Sequence, residues 1–238
     1  MNDVELSGLY PFLHAKPQDH GRLETALLDS IADKARESRE ASERFFAAEG
    51  PVLLAAARAL AETYRQGGRL FSMGNGGSSC DAAHVAVEFL HPITTGRPSL
   101  PAINLTADVA TLSAVANDVG FEHVFVRPLE AQARAGDSLL GVSTSGNSKN
   151  LVPAFVKAKQ MGMTTIGFAG NDGGKMKACA AVDYCLVVQT TSVHRVQECQ
   201  VIAYHILWDL VHTLLADDRG LGGVPQGIRG ASRSGGAG

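Results

Sequence analysis

The stretch Leu70–Leu90, LFSMGNGGSSCDAAHVAVEFL, decides how the rest of the chain is read. It opens on a short apolar run, breaks at Gly74-Asn75-Gly76-Gly77-Ser78 and resumes with apolar residues at helical spacing. A strand, a glycine turn and a helix N-terminus make a geometry that collects anions. Glycines let backbone N–H groups approach an oxyanion closely, and the helix dipole favours negative charge there. His84 and Glu88 lie four residues apart on the predicted helix, so they project from one face about one turn apart. An anion cradle followed by a His/Glu pair points to a phosphorylated substrate. The same residues also fit an ordinary strand-to-helix turn carrying two polar side chains, and GNGGS alone does not separate the two.

Upstream, Leu23, Ala26, Leu27, Ile31 and Ala35 recur at helical spacing towards Ala48. Gly50-Pro51 reads as a break, with Pro51 in the first turn of a second helix to about Arg65. The expectation is an N-terminal helical hairpin, preceded by an irregular arm over residues 1–20. Downstream, HPITTGRPSLP is a turn-rich loop, Ala102–Leu105 a short strand and Asp108–Asn117 a short helix. A helix from about Glu122 to Arg134 leads to a second buried strand, Asp137–Val142. Helix 149–161, strand Thr164–Phe168, a short helix near Lys175, strand Asp183–Val188 and a long helix Val193–Leu215 complete the alternation. The pattern predicts an α/β fold: a parallel sheet in three layers, with crossover helices on both faces. One domain is expected over residues 21–218. The tail 219–238 carries eight glycines from Gly220 onward and no periodicity, so disorder is expected there.

A chain of 238 residues with 45% hydrophobic and 19% charged residues is an ordinary soluble globular protein by composition. Its net charge of −3 leaves no basic footprint for nucleic acid. Cys80, Cys179, Cys185 and Cys199 follow neither a CxxC nor a framework spacing, which predicts a reduced, cytoplasmic protein. The acidic N-terminus does not read as a signal peptide, and no membrane span is expected.

The second strand runs into Ser143-Thr144-Ser145-Gly146-Asn147-Ser148, a hydroxyl-rich turn before a helix, as GNGGS is a glycine turn before a helix. Hydroxyls and amides with little fixed positive charge suit a phosphate that must also be released. An ST-rich capping turn is the plainer reading of this segment by itself. Parallel strands bring both turns to one sheet edge, where such folds bind ligands. GNGGSS matches neither GxGxxG nor GxxxxGK[ST], which argues against a dinucleotide fold or a P-loop. The last helix carries His194, Gln197, Glu198 and His205 on one flank, within an apolar setting where polar groups need partners.

Taken in order, GNGGSSCDAAH, ANDVGF, GDSLLGVSTSGNS, DGGKM and RVQECQVIAYH resemble the sugar isomerase (SIS) domain family and, within it, the phosphoheptose isomerases. The likeness runs from about Leu53 to Leu215. It implies an aldose–ketose isomerase that converts D-sedoheptulose 7-phosphate to D-glycero-D-manno-heptose 7-phosphate through an enediolate, in a cytoplasmic homotetramer with sites between subunits. It implies substrate contacts from Asn75, Gly76, Gly77, Glu88, Asn117, Asp118, Ser143, Thr144, Ser145, Ser148 and Gln197. It also implies one zinc per chain on His84, Glu88, Gln197 and His205. The reaction needs a carbon base and an oxygen-side acid/base, for which Glu88 and His205 are the candidates. A residue that ligates zinc is poorly available as a base, so either the metal is a structural or Lewis-acid feature of a rearranging site, or one residue changes role on substrate binding. The chain departs from the family at Val87, where a first acid is usual, at His91-Pro92-Ile93-Thr94 in place of an arginine-bearing loop, and at His194 and Gln200. Two other readings stay open: an SIS isomerase of another ketose phosphate, and a non-catalytic SIS module that binds a protein partner, as the replication initiator-associating type does.

Overall fold

The computed structural model describes residues 20–218; the arm expected before His20 and the tail expected over 219–238 lie outside the described residues. Helix α1 spans His20–Arg65. Then come β1 (Leu70–Gly74), α2 (Gly77–Leu90), β2 (Ala102–Asn104), α3 (Val109–Asp118), a 3-10 turn at Phe121–His123 and α4 (Val126–Gln132). β3 (Ser138–Val142), α5 (Leu151–Gln160), β4 (Thr164–Gly170), α6 (Gly174–Ala178), β5 (Tyr184–Val188) and α7 (Val193–Asp218) complete the chain. Two compact units divide within α1, one ending at Glu40 and the other beginning at Ala41.

In the first unit the described part of α1 leaves Leu27, Leu28 and Ile31 exposed on the single chain, and Arg36 pairs with Asp33 at 2.6 Å. The second unit holds a sheet of strand order β2-β1-β3-β4-β5, parallel throughout. β1 and β3 are buried along their whole length, as continuous apolar runs in a doubly covered sheet should be. Alternate strand residues face two cores. Leu70, Leu140, Val142, Ile166 and Phe168 pack with α1, α2 and α7. Phe71, Met73, Leu139 and Ala169 pack with residues of α4, α5 and α6. The three-layer parallel architecture is the expected one.

The N-terminal hairpin is not formed: α1 runs through Gly50-Pro51 as one helix. An interior proline costs about 3 kcal/mol through a lost N–H bond and a ring clash. Against this, a single buried stripe crosses the proline, from Ala41 and Phe45 to Leu53, Ala56, Ala57 and Leu60. Phe45 and Leu53 alone, buried on either side, contribute about 1.5–3 kcal/mol each, and a turn at 50–51 would part them. The helix expected over Glu122–Arg134 is also divided, into the 3-10 turn and α4. Pro128 stands in the first turn of α4, where its missing N–H is tolerated. By length and composition Val193–Ala216 of α7 could cross a bilayer, but half of an 18-residue window within it is buried against the rest of the chain, as befits a core helix.

Candidate active site

The strand order reverses at β1, so the crevice between the β1 and β3 ends is the switch point where open α/β sheets bind ligands. Register pairs Gly74 with Val142, the last residues of the two strands. The turns beginning at Asn75 and Ser143 therefore leave the sheet side by side. They are fastened by a reciprocal amide pair. Asn75 Nδ2 donates to Asn150 Oδ1 at 2.8 Å, and Asn150 Nδ2 donates to Asn75 Oδ1 at 2.9 Å. Asn150 is fully buried and stands at the N-cap position of α5, yet its side chain makes no cap bond. It is spent on the neighbouring turn, which the sequence reading missed.

Within the β3 turn, Ser143 and Ser148 hydroxyls lie 3.0 Å apart, Gly146 N–H donates to Ser143 Oγ at 3.1 Å and Asn147 N–H donates to Ser145 Oγ at 3.2 Å. Gly146 adopts φ +63°, and a Cβ there would stand 2.1 Å from the Gly173 carbonyl oxygen, so the turn needs glycine. Thr144 and Ser145 line a cleft shared with Asn171, Thr190 and Val196. Gln200 is buried and its Nε2 donates to the Ser143 carbonyl at 3.4 Å, tying α7 to this turn.

α7 also crosses α2. The Gln197 amide reaches the cradle there: a Cβ at Gly77 would meet Gln197 Nε2 at 2.6 Å. Gln197 Nε2 donates to Asp81 Oδ2 at 3.5 Å. Burial raises the Asp81 carboxyl above the usual aspartate range, against the opposing pull of the Gln197 bond and of His84. Further along α2, His84 Nε2 lies 3.1 Å from Glu88 Oε1 and His84 Nδ1 lies 2.8 Å from the Tyr204 hydroxyl. The His205 ring is edge-on to His84, with centroids 5.0 Å apart. Ligand atoms of His84, Glu88 and His205 all lie within 4.8 Å of one another, and all three residues are half-buried. Burial, reinforced by the charges of Asp81 and Glu88, raises the Tyr204 phenol above its ordinary value.

Two imidazoles and one carboxylate gathered from two helices form a possible metal-binding group of a familiar donor type. Gln197, the fourth ligand expected, stands against Gly77 and Asp81, on the cradle side of His84. On the same flank of α7, His194 is exposed, and Glu198 is held by Arg195 at 2.7 Å. Asn117 and Asp118 lie exposed at the end of α3, bonded to each other at 2.7 Å. Among the described residues they share no hydrogen bond with either turn.

Where the family's arginine-bearing loop is replaced, Arg97 stands six residues after His91. It lies over the Trp208 ring, 4.3 Å from its centroid, and pairs with Asp209. Trp208 Nε1 in turn donates to the Glu88 carbonyl oxygen at 2.8 Å. That oxygen is one of the last in α2, where helix carbonyls lack internal partners. The indole thus anchors the end of the helix that presents Glu88, another contact that no local pattern announces.

A family model described as the SIS domain matches residues 35–170. The chain is 38% identical over 188 residues to the phosphoheptose isomerase of Roseiflexus sp. (strain RS-1), covering 79% of this chain and 94% of that protein. It is 42% identical over 192 residues to the phosphoheptose isomerase of Desulfovibrio desulfuricans, covering 80% and 90%. Among solved structures, a phosphoheptose isomerase from Francisella tularensis superposes with a TM-score of 0.74 at 32% identity, covering 78% of this chain and 98% of that one. With two hydroxyl- and glycine-rich turns at the sheet's switch point and identity of this extent, the chain belongs to the SIS domain family, among its phosphoheptose isomerases.

Proposed function

We propose that this chain isomerises D-sedoheptulose 7-phosphate and D-glycero-D-manno-heptose 7-phosphate. The observation that carries the reading is the convergence of His84 and Glu88 with His205, which follows Glu88 by 117 residues in sequence. A module that only binds a protein has no use for that group.

The two turns take the phosphate, through the N-terminal amides of α2 and the hydroxyls of Ser143, Thr144, Ser145 and Ser148. Seven residues separate Gly77 from His84, about 10 Å along the helix at ~1.5 Å per residue. A seven-carbon chain phosphorylated at one end spans a gap of that order. Its C1 and C2 then lie at Glu88 and His205. Glu88 takes a proton from C1, and the electron pair left behind forms the C1–C2 double bond while the charge moves to O2. His205 carries a proton from O1 to O2. The O1 electrons then close the aldehyde as Glu88 returns its proton to C2.

Zinc is the metal in this reading, held by His84, Glu88 and His205 with Gln197 as the fourth ligand. When bound, it supplies a positive charge that lowers the cost of the enediolate oxygens. Glu88 would be a ligand of that metal in the resting site and the base toward the substrate, one role at a time. Asn117 and Asp118 reach the sugar of a neighbouring subunit in a cytoplasmic homotetramer, which the exposed apolar residues of α1 support as a self-association surface. Light scattering should give about four times the 25.0 kDa chain mass, and a monomer mass would remove that part of the proposal. Incubation of the full chain with sedoheptulose 7-phosphate tests the reaction. An aldose heptose 7-phosphate should accumulate to equilibrium, and unchanged ketose at high enzyme concentration would refute the assignment.

A further inference from the structure

We propose that Tyr204 is the positioning residue of the metal site: its buried hydroxyl fixes the His84 imidazole so that Nε2, and not Nδ1, faces Glu88. The inference rests on the reading of His84, Glu88 and His205 as a metal group. It adds a residue that neither the spacing of the sequence nor the resemblance indicates.

Tyr204 is 2% exposed and precedes His205 on α7, so its side chain enters the core while the His205 ring stays at the site. Its hydroxyl lies 2.8 Å from His84 Nδ1, and its ring packs edge-on to His84 with centroids 5.3 Å apart. The imidazole is therefore held by one nitrogen, with its other nitrogen 3.1 Å from Glu88 Oε1. An imidazole can bind a cation through Nε2 only if that nitrogen has lost its proton. The remaining proton must then sit on Nδ1 and find an acceptor.

A phenol is suited to that place because it is neutral and can both donate and accept. Without metal, Nε2–H donates to Glu88 and the Tyr204 hydroxyl donates to Nδ1. With metal on Nε2, Nδ1–H donates to the Tyr204 oxygen. The same side chain satisfies both tautomers without moving. A carboxylate there would favour only the second state, and a phenylalanine would serve neither. Partners that orient a ligating histidine in this way are worth about 10–100-fold in metal affinity.

The test is a zinc titration of the full chain against a competing chromophoric chelator, for the parent, Tyr204→Phe, Tyr204→Leu and His84→Ala. Melting temperatures with and without zinc are read on the same samples. Tyr204→Phe keeps the ring and removes only the oxygen; Tyr204→Leu removes the oxygen in a second apolar background. The expected result is a dissociation constant about 10–100-fold weaker for both Tyr204 variants, and weaker still for His84→Ala. The zinc-induced rise in melting temperature should shrink in the same order, because a ligand stabilises only in proportion to its occupancy. If His84→Ala weakens zinc but both Tyr204 variants stay within two-fold of the parent, the role of Tyr204 is overturned while the metal site stands. If His84→Ala binds zinc as the parent does, the metal site itself is misplaced, and the inference falls with it.

Discussion

Replacing Asn150 tests whether the two turns of the site work as one unit. Its side chain is fully buried and exchanges two hydrogen bonds with Asn75, at 2.8 and 2.9 Å. Alanine removes both bonds. At about 0.5–1.5 kcal/mol each, with the half-exposed Asn75 able to recover water, the loss should be about 1–3 kcal/mol. Aspartate has the size of asparagine but replaces the donating nitrogen by an oxygen that faces Asn75 Oδ1, and it brings a buried charge. It should therefore be the worse of the two, although it disturbs packing less. Thermal or denaturant unfolding at one fixed protein concentration gives the ranking, since an oligomer's apparent stability moves with concentration. In steady-state assays of Asn150→Ala, KM for the sugar phosphate should rise more than kcat falls, because the loosened part is the phosphate cradle. An aspartate variant milder than alanine would show that Asn150 fills space and does not pair. Both variants within 0.5 kcal/mol of the parent would remove the coupling altogether.

Glu88→Gln keeps volume and hydrogen bonding but loses the base, so turnover should fall by about 10²–10⁴-fold, towards the upper end, with the fold and assembly kept. Turnover within a few-fold at equal metal content would dismiss Glu88 as the base. Ser145→Ala and Ser148→Ala should each weaken substrate binding by about 1–2 kcal/mol with little effect on unfolding, as both hydroxyls belong to a turn already rich in amides. Unchanged affinity in both would move the phosphate elsewhere. Burial alone would raise the Asp183 carboxyl, but Lys159 and the Thr165 N–H and hydroxyl outweigh it and hold it below the usual aspartate range. Its folded value lies below its unfolded one, so its stabilisation is complete above about pH 4 and fades as pH falls further. The stability gap between the parent and Asp183→Asn should accordingly narrow as pH falls below about 4, and a gap that widens would contradict the sign.

The sheet was legible because β1 and β3 are continuous apolar runs each ending in a small-residue turn, a pattern that survives any detail of packing. Pro51 was not, because a local rule about helix ends was outweighed by a stripe that runs from Phe45 to Leu53 and beyond and is visible only once buried. At the site, the cradle, the β3 turn and the His84/Glu88 pair could be read from spacing, since each is local. The residues that lock them together could not. Asn150 looks like a helix cap, and Asn is indeed favoured there, but its partner is 75 residues away. Tyr204 and Trp208 read as core aromatics, and each finds its polar contact 120 residues upstream, at His84 and at the Glu88 carbonyl. Buried Tyr and Trp usually do find such a partner, which is the signal that could have flagged them. Asn117 and Asp118 are expected at the substrate through the family likeness; among the described residues they bond to each other and share no hydrogen bond with either turn.

The central claim is that Glu88 moves a proton between C1 and C2 of a seven-carbon sugar phosphate held by the two turns. Running the reaction in D2O and following the sugars by NMR tests it directly. A carbon-bound proton exchanged through a carboxylate should leave deuterium at C2 of the aldose product and, through the reverse reaction, at C1 of the remaining ketose. Glu88→Gln should slow both incorporations together. Because the Glu88 side chain is partly exposed, its proton should exchange with solvent, so aldose formed without any deuterium at C2 would contradict transfer through Glu88, and deuterium incorporation undiminished in Glu88→Gln would place the base elsewhere.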